Sequence, residues 1–444
     1  MKRTFIPAVL LLCAVLRSAA LDGISREVTG RDSSPSALSE GMSREVTGRD
    51  TSPSALPEGM SREVTGRDTA ETPARPMDES GEDKKLFSLS AGGYASWLHM
   101  AMFEKTSENW INSSMLHNRL NFKAYAGSRV TIALELRNRF VTGDMIKLDP
   151  SYSGRLASDD GWIDMSWNIF SGNSYAINTL IDRAYIDFTT GNLEMRAGRQ
   201  RINWSQALIW NPNDIFNTYS FFDFDYVERP GSDAVRLTYS TGPASAVETV
   251  IKVDAANRIT AAALGRFSLL NTDMQFLAGV TDDDFFTAGT GFSGAIGSFS
   301  VRGEATLFAP FRGPEKDNTF IATLGIDKSF SDKVTTLAQV MYSGNPIDLN
   351  SFTELYEGGL TARQLAFSKF SAAGQISYSP VPLLNISLSA IWYPDLEGFY
   401  AGPAVDISLA ENVDFSFLWQ HFNSTIAGEE TRMNLGFIRI RYSF

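Results

Sequence analysis

The sequence has almost no cysteine, little histidine and no long apolar run after its first twenty residues. Its one cysteine, Cys13, lies within that N-terminal stretch, so the rest of the chain can form no disulfide bond. Three histidines leave few imidazole bases, and no residue stands at a spacing that compels a catalytic triad. After those residues there is no run of about 18 apolar residues. This absence excludes a transmembrane helix but not a transmembrane barrel. The formal charge of −12 and the lack of a basic helix argue against a nucleic-acid partner.

The first twenty residues form a predicted secretory signal peptide. Lys2 and Arg3 supply a positive start, residues 6–16 are apolar, and the small residues 18–20 form a cleavage site. Cys13 after three leucines also permits a lipoprotein interpretation, but its place inside the apolar stretch favours removal with the peptide. The mature, exported chain is therefore predicted to begin at residue 21.

Residues 21–85 differ in composition from the rest of the chain. The motif SREVTGRD begins at Ser25, Ser43 and Ser61, a period of 18 residues. This stretch is rich in Ser, Pro, Gly and mixed charge, so it cannot bury enough apolar surface to offset the entropy of ordering. We predict a disordered repeat tail, which is either a duplicated spacer or a tether for a partner or the cell wall.

Residues 86–444 consist of short segments in which apolar and polar side chains alternate. Between Arg129 and Phe140 the period is two, which places the two sets on opposite faces of a β-strand. Helical periodicity over ten or more residues is almost absent. The predicted strands are 86–99, 114–126, 129–141, 178–189, 193–204, 232–241, 245–253, 258–268, 272–281, 285–295, 298–309, 318–330, 333–343, 368–379, 383–393, 398–409, 412–423 and 431–444. The fold class is thus all-β, a transmembrane antiparallel up-and-down barrel of 18 strands, with 16 as the alternative.

The connections between these strands alternate between short and long. Short turns such as 127–128 and 191–192 face one end of the barrel, and long loops such as 142–177 and 205–231 face the other. Outer-membrane barrels have this asymmetry, with tight periplasmic turns and longer external loops. We therefore expect a location in the outer membrane of a diderm bacterium, with the repeat tail in the periplasm.

The chain ends with FIRIRYSF, whose apolar residues share one face up to Phe444. This ending resembles the C-terminal signal of bacterial outer-membrane barrels, which the assembly machinery reads as a closing strand. In lipid every backbone N–H and C=O needs an internal partner, which a closed barrel supplies without helices. The expected partners are therefore membrane lipid and the barrel assembly machinery.

If the apolar faces contact lipid, the opposite faces line a water-filled lumen. Strands two to six and the last strand then form a wall rich in arginine. The residues predicted to line the pore are Arg119, Lys123, Glu135, Arg137, Arg139, Arg183, Asp187, Arg196, Arg199, Arg201, Asn203, Arg236, Arg439 and Arg441. This wall is either a device that favours anions or a ladder of salt bridges that stiffens the barrel.

The stretch from Glu194 to Phe216 breaks the alternation. Glu194 and Arg196 face the lumen, but the same register would place Arg199 and Arg201 in lipid, at about 2–4 kcal/mol for each mid-bilayer arginine. We predict a β-bulge at Gly198, since one extra residue reverses the register. Both arginines and Asn203 then face inward. Ile202 and Trp204 face outward, with Trp204 in the external aromatic girdle.

The motif AGRQRINWSQALIWNPNDIFN, followed by ERPGSDAVRLTY, resembles the alginate-export-type porins and related outer-membrane barrels. The match is specific over residues 182–239 and rests on architecture elsewhere. This resemblance implies an 18-stranded barrel that passes anionic or polar solutes, sometimes sugars, with Arg199 and Arg201 in the lumen. It does not identify alginate as the substrate.

Two external loops carry further candidate sites. Loop 205–231 contains seven aromatic rings, among them Trp210 and Phe216, and either folds into the pore or packs on the barrel rim. The acidic turn 282–284 could bind Ca²⁺, although a solvated loop is the favoured interpretation. No cofactor motif is present. The sequence therefore predicts a passive porin without catalysis, and the alternative is a surface barrel that binds a partner through its loops.

Overall fold

The computed structural model describes residues 87–106, 110–218, 228–313, 317–352, 354 and 360–444. The predicted signal peptide and repeat tail lie outside the described residues. Within them the chain forms nineteen β-strands, two short helices and one 3-10 helix. No helix in this part of the chain has the length and apolar character needed to cross a membrane.

The elements follow one another with few interruptions. The strands are β1 Phe87–Phe103, β2 Ile111–Ala126, β3 Val130–Gly143, β4 Ser166–Ser171, β5 Tyr175–Thr190, β6 Leu193–Gln200, β7 Ser232–Gly242, β8 Ser245–Val253, β9 Ile259–Leu269, β10 Thr272–Thr281, β11 Phe285–Ile296, β12 Phe299–Pro310, β13 Thr319–Ser329, β14 Val334–Ser343, β15 Phe370–Val381, β16 Leu384–Tyr393, β17 Gly398–Ala410, β18 Val413–Ile426 and β19 Glu429–Ser443. The helices are α1 Asp144–Leu148 and α2 Tyr152–Leu156, both between β3 and β4, and the 3-10 helix is Pro394–Leu396.

Eighteen of the described strands, all except β4, form a closed antiparallel barrel. Each pairs with its neighbours in sequence, and β1 closes the ring by pairing with β19, from Tyr94 opposite Ser443 to Phe103 opposite Asn434. Closure leaves the sheet without a free edge, so the ladder satisfies the backbone groups of the wall. The predicted 18-stranded barrel is confirmed, and the 16-stranded alternative is wrong.

Side chains alternate between the two faces of the wall as the pattern predicts. Leu116 and Ile186 are exposed on the outer face, whereas the inner-face neighbours His117 and Asp187 are buried. A strand period of two produces this separation. The barrel therefore carries an apolar outer surface and encloses its polar side chains.

Strand β4 was not predicted. It occupies the part of the wall beside β5 that lies beyond the end of β6. One edge of β5 pairs with β3 along nearly its whole length. The other edge pairs with β6 at residues 184–190 and with β4 at residues 176–180. Thus β4 continues the hydrogen-bond ladder along the long-loop half of β5, beyond the end of β6.

The β-bulge predicted at Gly198 is wrong. The register of residues 193–200 is continuous against both β5 and β7. A register shift lies instead in β5, where Asp182 is the extra residue opposite the pair Glu135 and Leu136. Gly198 has φ 118°, and a Cβ there would lie 2.2 Å from the carbonyl oxygen of Ala184. Glycine is needed at this position for backbone conformation and close approach.

Candidate functional site

The chain leaves the barrel wall after Gln200, and residues 201–218, the inner segment, fold inside the barrel. The predicted strand continued to residue 204, with Ile202 and Trp204 in lipid. Both side chains are instead buried, with exposed fractions of 0 % and 1 %. Their predicted outward orientation is therefore wrong.

Glu304, on the inner face of β12, anchors the middle of the inner segment. Its carboxylate accepts backbone N–H groups from Gln206, from Ala207 at 2.7 Å and from Asn213 at 3.0 Å. The side chain of Asn213 accepts from the Thr306 hydroxyl at 2.8 Å. A buried loop has no strand partner for its amides, and this carboxylate satisfies three of them.

Gln339, on the inner face of β14, anchors the next part of the segment. Its side-chain oxygen accepts the backbone N–H of Leu208 at 3.3 Å and of Ile209 at 2.9 Å. Its amide nitrogen donates to the Trp210 carbonyl at 2.9 Å and to the Thr323 hydroxyl at 2.6 Å. The inner segment thus reaches the wall opposite β6.

Trp204 fixes the start of the inner segment on a third part of the wall. Its indole N–H donates to the Glu248 carboxylate in β8 at 2.6 Å, and its carbonyl accepts from Gln275 in β10 at 2.6 Å. The ring packs edge-on against Phe216 with centroids 4.8 Å apart. A buried tryptophan needs such a partner for its N–H.

A hydrophobic cluster joins the inner segment to the enclosing wall. Trp210 and Phe216 belong to this cluster together with Phe308 in β12 and Tyr393 in β16. Leu349 and residues 365–367, from the loop between β14 and β15, belong to the same cluster. For residues 205–218, this arrangement favours the constriction alternative over packing on the rim. The remaining aromatic and acidic residues of that prediction, 219–226, lie outside the described residues.

The arginine wall is a network of ion pairs in its centre. Arg119 contacts Glu135 at 2.5 Å and Asp182 at 2.6 Å. Arg183 contacts Asp182 at 3.1 Å and donates to the carbonyl oxygens of residues 228 and 229. The extra residue of β5, Asp182, therefore places a carboxylate between two arginines.

A second group of pairs lies towards the short-turn end of β5, β6 and β7. Arg196 contacts Asp187 at 2.8 Å and Glu194 at 3.4 Å, and Arg236 contacts Glu194 at 2.6 Å. The guanidinium of Arg196 also lies over the Tyr185 ring, 4.5 Å from its centroid. These predicted wall residues are brought together as an alternating row of charges.

Three further arginines of the predicted wall also donate to neutral side chains. Arg137 donates to His117 at 3.2 Å, and Arg139 donates to Asn178 at 2.7 Å. Arg439 donates to the Ser416 hydroxyl at 3.2 Å.

Four predicted residues remain, two in the wall and two in the inner segment. Arg441 lies over the Tyr94 ring, 4.0 Å from its centroid. Lys123 is half-buried in β2, and Arg201 is buried at the start of the inner segment. Asn203 accepts the backbone N–H of Ser205, so it acts in the local fold of the segment.

Arg199 has surroundings that the pore prediction did not include. It pairs with Asp233 at 2.7 Å and with Asp159 at 2.6 Å. Asp233 is its cross-strand partner, and Val235, two residues further on, lies exposed on the outer face. The register therefore does not support the predicted inward orientation of Arg199.

The sequence showed three acids on this wall, and the structure adds Asp182 and Glu228 near its arginines, with Asp233 and Asp159 beside Arg199. The sequence pattern did not indicate Asp182 as a wall residue, because strict alternation assigns its side chain to the outer face. Asp159 belongs to a loop whose position no local pattern fixes. The geometry therefore favours the salt-bridge ladder for the paired arginines, while anion preference stays a prediction.

Asp214 is a buried acid within the inner segment. Burial raises the pKa of its carboxyl group to about 6, although Arg201, Arg229 and Lys252 act in the opposite direction. Lys252 itself donates to the Phe216 carbonyl at 2.8 Å. This acid changes charge close to neutral pH because the inner segment removes it from water.

The remaining candidate sites have structural partners. Asp283 accepts the backbone N–H of Ile259 at 2.9 Å, within the turn predicted as a possible calcium site. Among the described residues, no group of three or more His, Cys, Asp or Glu side chains is placed to hold a metal ion. His99 contacts Ser114 at 2.9 Å, and His421 contacts Asn434 at 2.8 Å.

The fold defines a class: closed antiparallel barrels of eighteen strands, here with a segment folded inside. No protein-family model and no curated protein matches the chain. Among solved structures it is similar to OccK11 (OpdR) of Pseudomonas aeruginosa, with a TM-score of 0.52 and 8 % identity, over 80 % of this chain and 96 % of that one. The outer membrane protein OprD of the same organism gives 0.52 and 9 %, over 80 % and 93 %. OccAB4 of Acinetobacter baumannii gives 0.50 and 8 %, over 80 % and 98 %. At these identities the likeness shows a shared fold.

Proposed function

We propose that this protein is an outer-membrane porin, a passive channel for small polar or anionic solutes. The observation that carries the proposal is a closed barrel with an apolar outer surface and a row of charged side chains on the inner face of β2, β3, β5, β6 and β7. Lipid can cover such an outer surface, while polar inner faces suit a water-filled passage. The inner segment narrows this passage from the β12 and β14 side. The similarity of the barrel fold to that of an outer membrane protein supports a location in the outer membrane.

The arginine wall supports a preference for anions in a limited form. Arg119, Arg183 and Arg196 are largely neutralised by neighbouring carboxylates. Arg441 lies over the Tyr94 ring, 4.0 Å from its centroid, and it supplies the positive field that the proposal needs. The expected preference is therefore moderate.

A sugar as solute has less support than the sequence suggested. Trp210 and Phe216, two of the rings proposed for stacking, are buried in the hydrophobic cluster. The alginate-export-type resemblance stays a hypothesis that rests on the motif of residues 197–217 and its continuation, residues 228–239. The proposal names a channel rather than an enzyme and requires no cofactor.

The ends of the chain belong to the same proposal. Residues 1–20 would direct export, and residues 21–85 would form the periplasmic repeat tail. The backbone of Phe444 exchanges two hydrogen bonds with Gly93, each of 2.9 Å. The closing strand thus ends paired within the barrel, which supports its proposed role as the segment read by the assembly machinery.

Planar bilayer recordings of the folded mature protein test the channel. We expect stepwise conductance with a reversal potential shifted moderately towards that of the anion. The variant Arg441→Gln should reduce the anion preference, whereas Arg432→Gln, an exposed residue paired with Glu430, should not. Absence of conductance in correctly folded protein would reject the channel and favour the alternative, a barrel that binds a partner through its external loops.

A further inference from the structure

The barrel wall has a notch on its long-loop side, between β5 and β8. Strand β5 begins at Tyr175, near the long-loop end of the barrel, but β6 pairs with it only from residue 184 onward. Residues 159–171, here called the strap, cross this notch. One end of the strap, β4, pairs with β5, and the other end pairs at Gly161 with Asp254 after β8. The strap therefore replaces wall that β6 and β7 do not provide.

Arg199 lies at the centre of the contacts that hold the strap. Its Nε donates to Asp233 at 2.7 Å, and its Nη2 donates to Asp233 at 3.0 Å and to the Ile163 carbonyl at 2.7 Å. Its Nη1 donates to Asp159 at 2.6 Å and to the Ile181 carbonyl at 3.3 Å. These contacts use all five N–H groups of the guanidinium.

The two carboxylates in turn bind the backbone of the strap. Asp233 accepts the N–H of Ile163 at 2.9 Å. Asp159 accepts the N–H of Gly161 at 2.9 Å and of Met165 at 2.7 Å. Three amides of the strap therefore depend on this cluster, here called the hub: Arg199, Asp159 and Asp233.

The strap approaches the hub so closely that a side chain is excluded at Gly161. A Cβ at this position would lie 1.9 Å from Nη2 of Arg199. Arg199 is 2 % exposed although its register places it on the outer face. The strap thus covers a charge that would otherwise meet lipid.

Four large apolar side chains of the strap are exposed: Trp162, Trp167, Ile169 and Phe170. Asp160 and Asp164 are exposed as well, whereas Asp159 contacts Arg199 in the hub. The strap therefore adds apolar surface to the outer face of the barrel, and one of its three acids belongs to the hub.

We propose that the strap seals the barrel wall between β5 and β8, and that the hub latches it. Without the hub, the strap leaves the wall and opens the outer half of β5 to lipid. Arg199 is then a latch residue and not a pore residue. The role of the strap is separate from solute passage, because hydrogen exchange and cysteine labelling report on the strap without a conductance measurement.

Hydrogen exchange of the full chain in lipid tests the latch. In Arg199→Gln we expect the amides of Ile163 and Met165 to exchange at least about tenfold faster, because their carboxylate acceptors lose their partner. The amides of β13 and β14 should keep their wild-type rates. The matched control is Arg196→Gln, in the same strand, which removes a pair with Asp187 but leaves the strap unchanged.

Cysteine labelling from the lipid side gives an independent readout, since the chain has no cysteine after residue 13. Ile181 is buried beside the strap, and Val235 is exposed on the outer face. A lipid-soluble maleimide should label Ile181→Cys at least about tenfold faster when the hub is broken. It should label Val235→Cys equally fast in both backgrounds.

Unchanged exchange and labelling in folded Arg199→Gln would overturn the proposal. If that variant does not fold, Asp159→Asn decides, because it keeps the Arg199–Asp233 pair and removes one latch contact. A shift in ion preference with an intact strap would return Arg199 to the pore. A released strap with unchanged ion preference supports the latch.

Discussion

Replacement of Glu304 by alanine should release the inner segment from the wall. The carboxylate accepts three backbone N–H groups, and Glu304 is only 4 % exposed. Each hydrogen bond to a charged group contributes about 1.5–3 kcal/mol, so the three together contribute about 5–9 kcal/mol as an upper limit. The segment can rearrange into water and recover part of this energy. A loss of at least about 3 kcal/mol from the docked state is therefore expected.

Single-channel conductance and limited proteolysis measure this release. Glu304→Ala should conduct more than the wild type and should be cleaved within residues 201–218, while the barrel strands stay protected. Glu304→Gln should have a smaller effect, because its one amide oxygen can keep the bonds from Gln206 and Ala207 but not the bond from Asn213. Glu411→Ala, in an exposed turn, is the control. Folded Glu304→Ala with wild-type conductance and protease resistance would refute the anchoring role.

Three further changes test the same interior and its wall. Gly198→Ala should destabilise the barrel by about 1–3 kcal/mol, because Gly198 has φ 118° and a carbonyl oxygen lies close to it. Gly265→Ala, which has open space around it, should not destabilise the barrel. Heat-dependent gel mobility compares the two variants. Trp204→Phe should cost about 1–3 kcal/mol in urea unfolding, since the buried Glu248 loses a donor at 2.6 Å. Burial raises the pKa of Asp214 from its ordinary value of 3.8 to about 6, so the folded state binds the proton more tightly. The contribution of protonated Asp214 to the free energy of unfolding should be complete below pH 3.8, and about 3 kcal/mol of it should be lost as the pH rises through 6. The variant Asp214→Asn should remove this pH dependence.

The strand framework could be predicted because apolar and polar side chains alternate along the strands. The outer face is apolar, so the alternation around residues such as Leu237 and Phe276 marks each strand in turn. Predicted and observed strand bounds differ by a few residues at most positions. The largest differences are four residues: β1 ends at Phe103 and not at residue 99, and β6 ends at Gln200 and not at residue 204.

The inner segment could not be predicted because its pattern has two physical solutions. Ile202 and Trp204 suit a lipid-facing strand as well as a buried core inside the barrel. The choice depends on Glu248, Glu304 and Gln339, which are distant in sequence and whose positions are known only once the ring is closed. No local signal in residues 201–218 distinguishes the two.

The arginine-rich strand also shows why residue type alone did not fix the role of each charge. An arginine in lipid is too costly to accept, so the sequence required some device to remove Arg199 from it. A register change was one such device, and it would have placed Arg199 in the lumen. The structure instead keeps the register and brings two carboxylates and a covering loop to the arginine. The same avoidance of an unpaired charge therefore leads to a sealed wall rather than to a selective pore at this residue. Any field that favours anions must come from the arginines on the inner face, of which Arg441 is the clearest candidate.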